Sequence, residues 1–162
     1  MTDVTFRPIG VIHSPFANPA GMPIQPSSAR GTQGTIELEP VFLNCLADLS
    51  GFSHLILIYH FHLSEGYTCR LRPFLDSEER GLFATRAPRR PNPLGLSIVR
   101  LQRIEGTTLY IEDLDILDGT PLLDIKPYVP QFDAPDSEIS IGWLQKNLDA
   151  LADARSDGRF TR

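Results

Sequence analysis

The sequence predicts a mainly β, single-domain protein, and three observations carry that expectation. Its 162 residues are the length of one domain and bury enough surface to need neither disulfides nor a structural metal. Short apolar runs are cut by 12 glycines and 14 prolines, residues that interrupt helices and punctuate strands. Where periodicity is visible it is mostly of period two, or a β-branched and aromatic run of strand length.

The elements follow in order. Phe6 to Ser14 reads as a short strand, and Pro15 to Ser28, rich in Pro, Gly, Ala and Ser, as an ordered loop or a mobile lid. Gly34-Thr35-Ile36-Glu37-Leu38 alternates as a half-buried strand should, and Pro40 ends it. Phe42 to Leu49 has the spacing of a short helix with Phe42, Leu43, Leu46 and Leu49 on one side. Phe52 to His62 contains the longest apolar run, Leu55 to Tyr59, and reads as a central strand. Cys69 to Leu75 and Gly81 to Ala84 are further strand candidates. Three prolines between Thr85 and Pro93 exclude a hydrogen-bonded element and leave a rigid loop. Leu94 to Ile104, Thr108 to Leu114 and Leu122 to Ile125 complete the strands, with a hairpin at Glu105-Gly106. A terminal helix is expected from Trp143 to Ala152, with Trp143, Leu144, Leu148 and Leu151 inward, followed by a frayed tail from Arg155 to Arg162.

Net charge is −5, which argues against a uniformly basic nucleic-acid binder. The sum conceals a dipolar chain. From Arg70 to Arg103, eight arginines face three acids; from Glu105 to Glu138, nine acids face one base, Lys126. Arginine outnumbers lysine thirteen to two, a bias suited to bidentate recognition of phosphate or carboxylate. The N-terminus lacks the basic and apolar regions of a signal peptide, and no run reaches eighteen apolar residues. Cys45 and Cys69 have no metal-ligand spacing and read as reduced thiols. A soluble, cytoplasmic protein with no membrane partner is expected.

Two segments could carry chemistry. In RAPRRPNPLG, Arg86 to Gly95, prolines lower the entropy cost of presenting Arg86, Arg89, Arg90 and Asn92, as suits an anionic ligand. The alternative is a turn whose arginines pair with the acidic segment that follows. In Asp113 to Tyr128, Asp113, Asp115, Asp118 and Asp124 with Lys126 and Tyr128 could line a ligand rim, or form a solvated turn at Asp118-Gly119-Thr120-Pro121. A calcium loop is excluded by the missing twelve-residue frame and terminal glutamate. His60 and His62, two apart on one strand, share a face with no HExxH or Cys/His cluster beside them, so no metal is expected. GxGxxG, GxxxxGK[ST] and GxSxG are absent, which removes support for an ordinary Rossmann methyltransferase, a P-loop enzyme and an α/β hydrolase.

FRPIGVIHSPF (6–16), GFSHLILIYHFH (51–62), GLFATRAPRRPNPLGLSIV (81–99) and LDILDGTPLLDIKPYVP (114–130) together resemble the TsaA-like, or TrmO-type, family in content, order and spacing. The resemblance covers residues 3–133, a cofactor-binding and catalytic domain, and leaves 134–162 as a helical tail. It implies a compact, single-sheet β-barrel-like fold with short helices, a homodimer, and S-adenosyl-L-methionine bound near the subunit interface. The activity it implies is methylation of N6 of threonylcarbamoyladenosine beside the tRNA anticodon, so the partner would be the anticodon loop. Carried onto this sequence, it marks Pro26, Ser27, Ser28, His62, Leu63, Arg86, Leu96, Asp115, Ile116, Leu117 and Asp118 as cofactor contacts. Arg89, Arg90 and Asn92 would face RNA or support the loop. Asp118 or Asp124 would take the N6 proton, and Lys126 and Tyr128 would bind the threonyl carboxylate or orient the base.

The sequence departs from the family pattern at Pro26-Ser27, where Pro-Gly is usual, and at Ile24, where Arg precedes Gln-Pro. The resemblance also leads to the expectation of an additional C-terminal domain in the best-characterised bacterial type, and the sequence ends soon after the shared domain. A second function is therefore carried alongside the first: an S-adenosyl-L-methionine-binding module, or a methyltransferase for a different RNA or small-molecule acceptor.

Overall fold

His54–His60, the run HLILIYH, is the strand on which the rest of the chain assembles. The computed structural model describes residues 2–25, 29–146 and 155–157. Its strands are β1 (Gly10–His13), β2 (Gln33–Leu38), β3 (His54–His60), β4 (Arg70–Leu71), β5 (Arg80–Gly81), β6 (Leu94–Glu105), β7 (Thr108–Glu112) and β8 (Thr120–Pro127). Six of them close an antiparallel barrel in the order β1-β2-β7-β6-β3-β8, with β8 returning to β1 through Gly10↔Leu122 and Ile12↔Thr120. Closure pairs both sides of every barrel strand and leaves no open edge. β4 and β5 form a separate two-stranded ribbon. The barrel expected from the family resemblance is the fold observed.

Period-two alternation decides what the barrel holds. β3 turns Leu55, Leu57 and Tyr59 inward, where they join Ile12, Ile36, Val99, Leu109, Ile111 and Leu122 in one buried cluster. Truncating one of these aliphatic side chains to alanine would cost about 2–5 kcal/mol. Gly95 faces Tyr59 across the β3–β6 ladder, and a Cβ there would run into the Tyr59 ring. A strand glycine at this position is space reserved for an aromatic side chain. The β6–β7 hairpin turns on Gly106, whose φ of 61° suits the first central position of a type II′ turn.

Several elements differ from expectation. The helix expected over Phe42–Leu49 is two 3-10 segments, Pro40–Leu46 and Leu49–Gly51, separated by Asp48 at φ 64°. Leu46 and Leu49 still pack on the core, while Val41 and Leu43 are exposed, so only part of the apolar side is used. Of Cys69–Leu75 only Arg70–Leu71 is strand, and Leu82–Ala84 is a 3-10 turn because the ribbon ends at Gly81. The strand expected from Phe6 begins at Gly10. Gly142–Lys146 is a 3-10 segment, and residues 147–152 of the expected helix lie outside the described residues. Arg155 and Ser156 are docked: Arg155 bridges Pro23, Ser156 N–H donates to Met22 O at 2.8 Å, and Gly21 N–H donates to Ser156 O at 2.7 Å. Among the described residues no helix is long and apolar enough to cross a membrane.

Candidate functional site

β3 ends, and β6 and β8 begin, at the same end of the barrel, and a cavity of about 1010 Å³ opens there. That is at the upper end of the range for small-molecule sites, about 300–1,000 Å³. One wall comes from the barrel, with Tyr59, Gly95 and Thr120. A second comes from Phe83 to Pro88, and a third from Pro19 and Met22 to Gln25. Trp143, Leu144 and Ser156 add to the lining from the C-terminal segment.

The segment after β7 places the chemistry. Asp113 adopts φ 67°, a left-handed conformation that Asp tolerates better than most residues, and its Oδ1 accepts from Gly31 N–H at 2.9 Å. Leu114 and Ile116 then bury themselves in the core, and Asp115 between them borders the cavity. Ser97 Oγ donates to Asp115 Oδ1 at 2.6 Å, and Tyr59 Oη lies 3.0 Å from Ser97 Oγ. Tyr59–Ser97–Asp115 is therefore a connected polar chain running from the barrel interior to the cavity. Burial pushes the Asp115 carboxyl up to about 6, against which the Ser97 bond and nearby Arg86 act only partly. Burial, reinforced by the Asp115 charge, also raises the Tyr59 hydroxyl, which stays protonated.

The arginines at and beside the cavity are held by neutral partners. Arg86 Nη1 donates to Gln25 Oε1 at 3.0 Å, joining two walls. Arg90 Nη1 donates to the carbonyls of Thr85 at 3.0 Å and Ala87 at 3.4 Å. Arg89 Nε donates to Glu65 O at 3.0 Å. Among the described residues none of these three arginines pairs with a carboxylate. The acidic segment is met by Arg100, whose Nε lies 3.8 Å from both Glu112 and Asp113. His62 Nδ1 lies 3.4 Å from Thr120 Oγ1, and burial, then the neighbouring His60, lowers its pKa, which favours neutral imidazole at pH 7. No group of three His, Cys, Asp or Glu among the described residues could hold a metal ion.

Of the residues singled out from sequence, His62, Leu63, Arg86, Arg90, Leu96, Asp115, Ile116 and Leu117 border the cavity. Pro26, Ser27 and Ser28 lie outside the described residues. Arg89 and Asn92 belong to the proline-stiffened loop but not to the lining, and Asn92 is exposed. Asp118 turns away: its Oδ1 accepts from Ser14 N–H at 3.1 Å and lies 3.3 Å from His13 Nδ1. The Ser14 bond, with help from His13, holds its carboxyl below the usual range and makes it a weaker base. Asp124 sits on the outer barrel face opposite Ile58, its Oδ2 2.6 Å from Lys126 Nζ. Tyr128 N–H donates to His54 O at 3.0 Å, at the start of β3 and about 20 Å of strand from the cavity mouth. Sequence reasoning missed Tyr59, Ser97, Phe83 and Trp143. Only the placement of Gly95 opposite a strand aromatic hinted at the first.

A closed antiparallel barrel with a cofactor-sized cavity at one end, an enclosed carboxyl in its wall and backbone-anchored arginines at its rim defines a ligand-binding barrel. The family model described as the tRNA-methyltransferase O N-terminal domain matches residues 11–134, and this chain belongs to that TrmO/TsaA-like family. It is 54% identical over 157 residues to a probable S-adenosyl-L-methionine-binding protein of Pyrococcus abyssi, across 97% of this chain and 85% of that one. It is 34% identical over 138 residues to the human tRNA (adenine(37)-N6)-methyltransferase, covering 81% of this chain but only 31% of the human protein. The crystal structure of TrmO from Pseudomonas aeruginosa superposes with a TM-score of 0.73 at 39% identity, over 88% of this chain and 63% of that one.

Proposed function

We propose that the protein is an S-adenosyl-L-methionine-dependent methyltransferase acting on N6 of threonylcarbamoyladenosine beside the tRNA anticodon. The observation that carries this reading is Asp115. It is a half-buried carboxyl in the wall of a mostly apolar cavity, raised by burial and with no cationic hydrogen-bond partner among the described residues. A cationic ligand with an apolar body suits that wall, the name borne by the Pyrococcus abyssi relative speaks for the same cofactor, and that of the human relative for N6 of a tRNA adenine as acceptor.

When bound, S-adenosyl-L-methionine supplies an electrophilic methyl group with the sulfonium sulfur as leaving atom. Asp115 holds positive charge, with Ser97 and Tyr59 fixing the carboxylate's orientation. Ile116, Leu117 and Leu63 exclude water from the apolar part of the site, and Arg86 with Gln25 ties the walls together. The N6 nitrogen is acylated by its carbamoyl group, so its proton is more acidic than that of adenine, and alignment contributes most to the rate. His62, which lines the cavity and whose lowered pKa favours the neutral ring, would accept that proton. Arg89, Arg90 and Asn92 supply a basic, stiff surface for a single-stranded anticodon loop.

A homodimer belongs to the same proposal. The outer face of β3 and β6 presents Ile56, Ile58, Leu94, Leu96 and Ile98 together, three of them exposed. Leu96 also lines the cavity, so a second copy on this face would border the ligand site. Asp124 and Lys126 lie opposite Ile58 and Ile56, so a dimer is the arrangement in which they could reach a partner's substrate.

The test is transfer from labelled S-adenosyl-L-methionine to tRNA with and without threonylcarbamoyladenosine. Transfer to the modified tRNA alone is expected. Cofactor binding without transfer to either would favour the second reading, a binding module or an enzyme for another acceptor. That reading draws on the net charge of −5 and on the name of the Pyrococcus abyssi relative, a probable S-adenosyl-L-methionine-binding protein.

A further inference from the structure

Phe83 is an aromatic residue of the cavity wall that the mechanism above does not use, and it is 80% exposed. Its exposure is imposed from both sides. Leu82 is buried with Leu71 and Ala87 in a small cluster beneath the turn, and Leu82 O accepts from Thr85 N–H at 3.1 Å and Thr85 Oγ1 at 2.8 Å. Ala84 O accepts from Trp143 Nε1 at 2.8 Å. With both neighbours fixed, the short turn Leu82–Ala84 projects Phe83 outward at the cavity mouth, against the usual tendency of phenylalanine to be buried. The guanidinium of Arg90 stands 5.7 Å from the Phe83 ring centroid and is itself anchored to two carbonyls.

We infer that Phe83 and Arg90 form a stacking platform for the acceptor nucleobase, which rests on the open part of the Phe83 ring while its exocyclic amine enters the cavity. This deepens the proposed function and rests on it. An unstacked base is recognised by an aromatic face with a planar cation beside it. The arginines around the platform make the surface complementary to phosphate, since Arg86, Arg89 and Arg90 have no carboxylate partner among the described residues. Phe83 acts by positioning the base. It moves no proton and does not touch the methyl donor.

The experiment compares wild type with Phe83→Ala, Phe83→Leu and Phe83→Trp. The readouts are cofactor affinity by calorimetry, oligomeric state by light scattering, and methyl-transfer kinetics on an anticodon stem-loop carrying threonylcarbamoyladenosine. Phe83→Ala and Phe83→Leu are expected to lower kcat/KM for RNA on the order of tenfold, with cofactor Kd and oligomeric state unchanged, and Phe83→Trp to stay close to wild type. Full activity in Phe83→Leu would overturn the platform, because an apolar contact would then suffice. A parallel loss of cofactor affinity, or a change in oligomeric state, would also overturn it by assigning Phe83 to the cofactor wall or to a self-interface. If wild type itself transfers nothing to this RNA, the functional reading falls and the platform with it; a platform that fails while wild type is active fails alone.

Discussion

At the end of the barrel where β6 turns into β7, Arg103 Nε donates to Glu105 Oε1 at 2.8 Å and its guanidinium lies 3.4 Å from the centroid of Tyr110. Glu105, at an exposed position, is held below the ordinary carboxylate range chiefly by that arginine. At the other end, Ser97 donates to Asp115 at 2.6 Å, and burial drives that carboxyl upward to about 6. The same strands carry both groups, since Arg103 and Ser97 are on β6. One end solves its charges locally, with pairs that solvent screens. The other places a carboxyl in a cavity wall where protein partners only partly satisfy it, and the proposed cationic ligand would draw its free energy from that residual demand.

The comparison can be broken in four places. Gly95→Ala should have the largest effect, because its Cβ has no room beside Tyr59 and the displaced ring takes its hydroxyl from Ser97. A loss of about 3 kcal/mol is expected in denaturant unfolding, together with loss of ligand binding. Asp115→Asn comes next. Because the folded pKa of about 6 lies above the unfolded value of 3.8, stability is fully present below the unfolded value and falls as pH rises through about 6, by up to about 3 kcal/mol. The variant should flatten that slope in urea titrations run from pH 4 to 8. In wild type, cofactor affinity should follow the opposite course, strengthening as pH rises through about 6 and the carboxylate forms, and Asp115→Asn should abolish the dependence in calorimetry.

Trp143→Phe keeps the ring and removes the indole donor to Ala84 O. A cost of about 1 kcal/mol is expected, seen as faster amide exchange around Leu82 to Thr85 with the barrel strands unchanged. Arg103→Ala should do least, leaving Tm within about 3 °C of wild type and cofactor affinity untouched. A larger effect of Arg103→Ala than of Trp143→Phe would reverse the contrast between the ends.

Much of the fold was legible because strand alternation is a local property. Ile36 and Leu38 could be placed on one face from spacing alone, and Glu105-Gly106 announced its turn. The Phe42–Leu49 segment reads as one short helix and is two 3-10 segments, because apolar spacing over eight residues does not separate α from 3-10 geometry and Asp48 at φ 64° breaks the segment in two. The tail was misread at Arg155 and Ser156 because their partners, Pro23, Gly21 and Met22, lie more than a hundred residues away. For the site, the motif around Arg86 to Gly95 and the run around Asp115 were visible as chemistry, but their geometry was not. Asp115, Asp118 and Asp124 look alike in the sequence. They end up enclosed at the cavity, turned to His13 and Ser14, and paired with Lys126 on the outer wall.

The sequence by itself determined the class of fold, the family, the stiff basic loop and the residues from which a site would be drawn, since each depends on side-chain type and short-range spacing. Tertiary structure decided which carboxylate lines the cavity, which arginines lack an acidic partner among the described residues, and that Phe83 faces outward. The reason is that burial and pairing are set by barrel closure, by the left-handed turn at Asp113 and by Trp143 reaching Ala84, contacts between residues far apart along the chain.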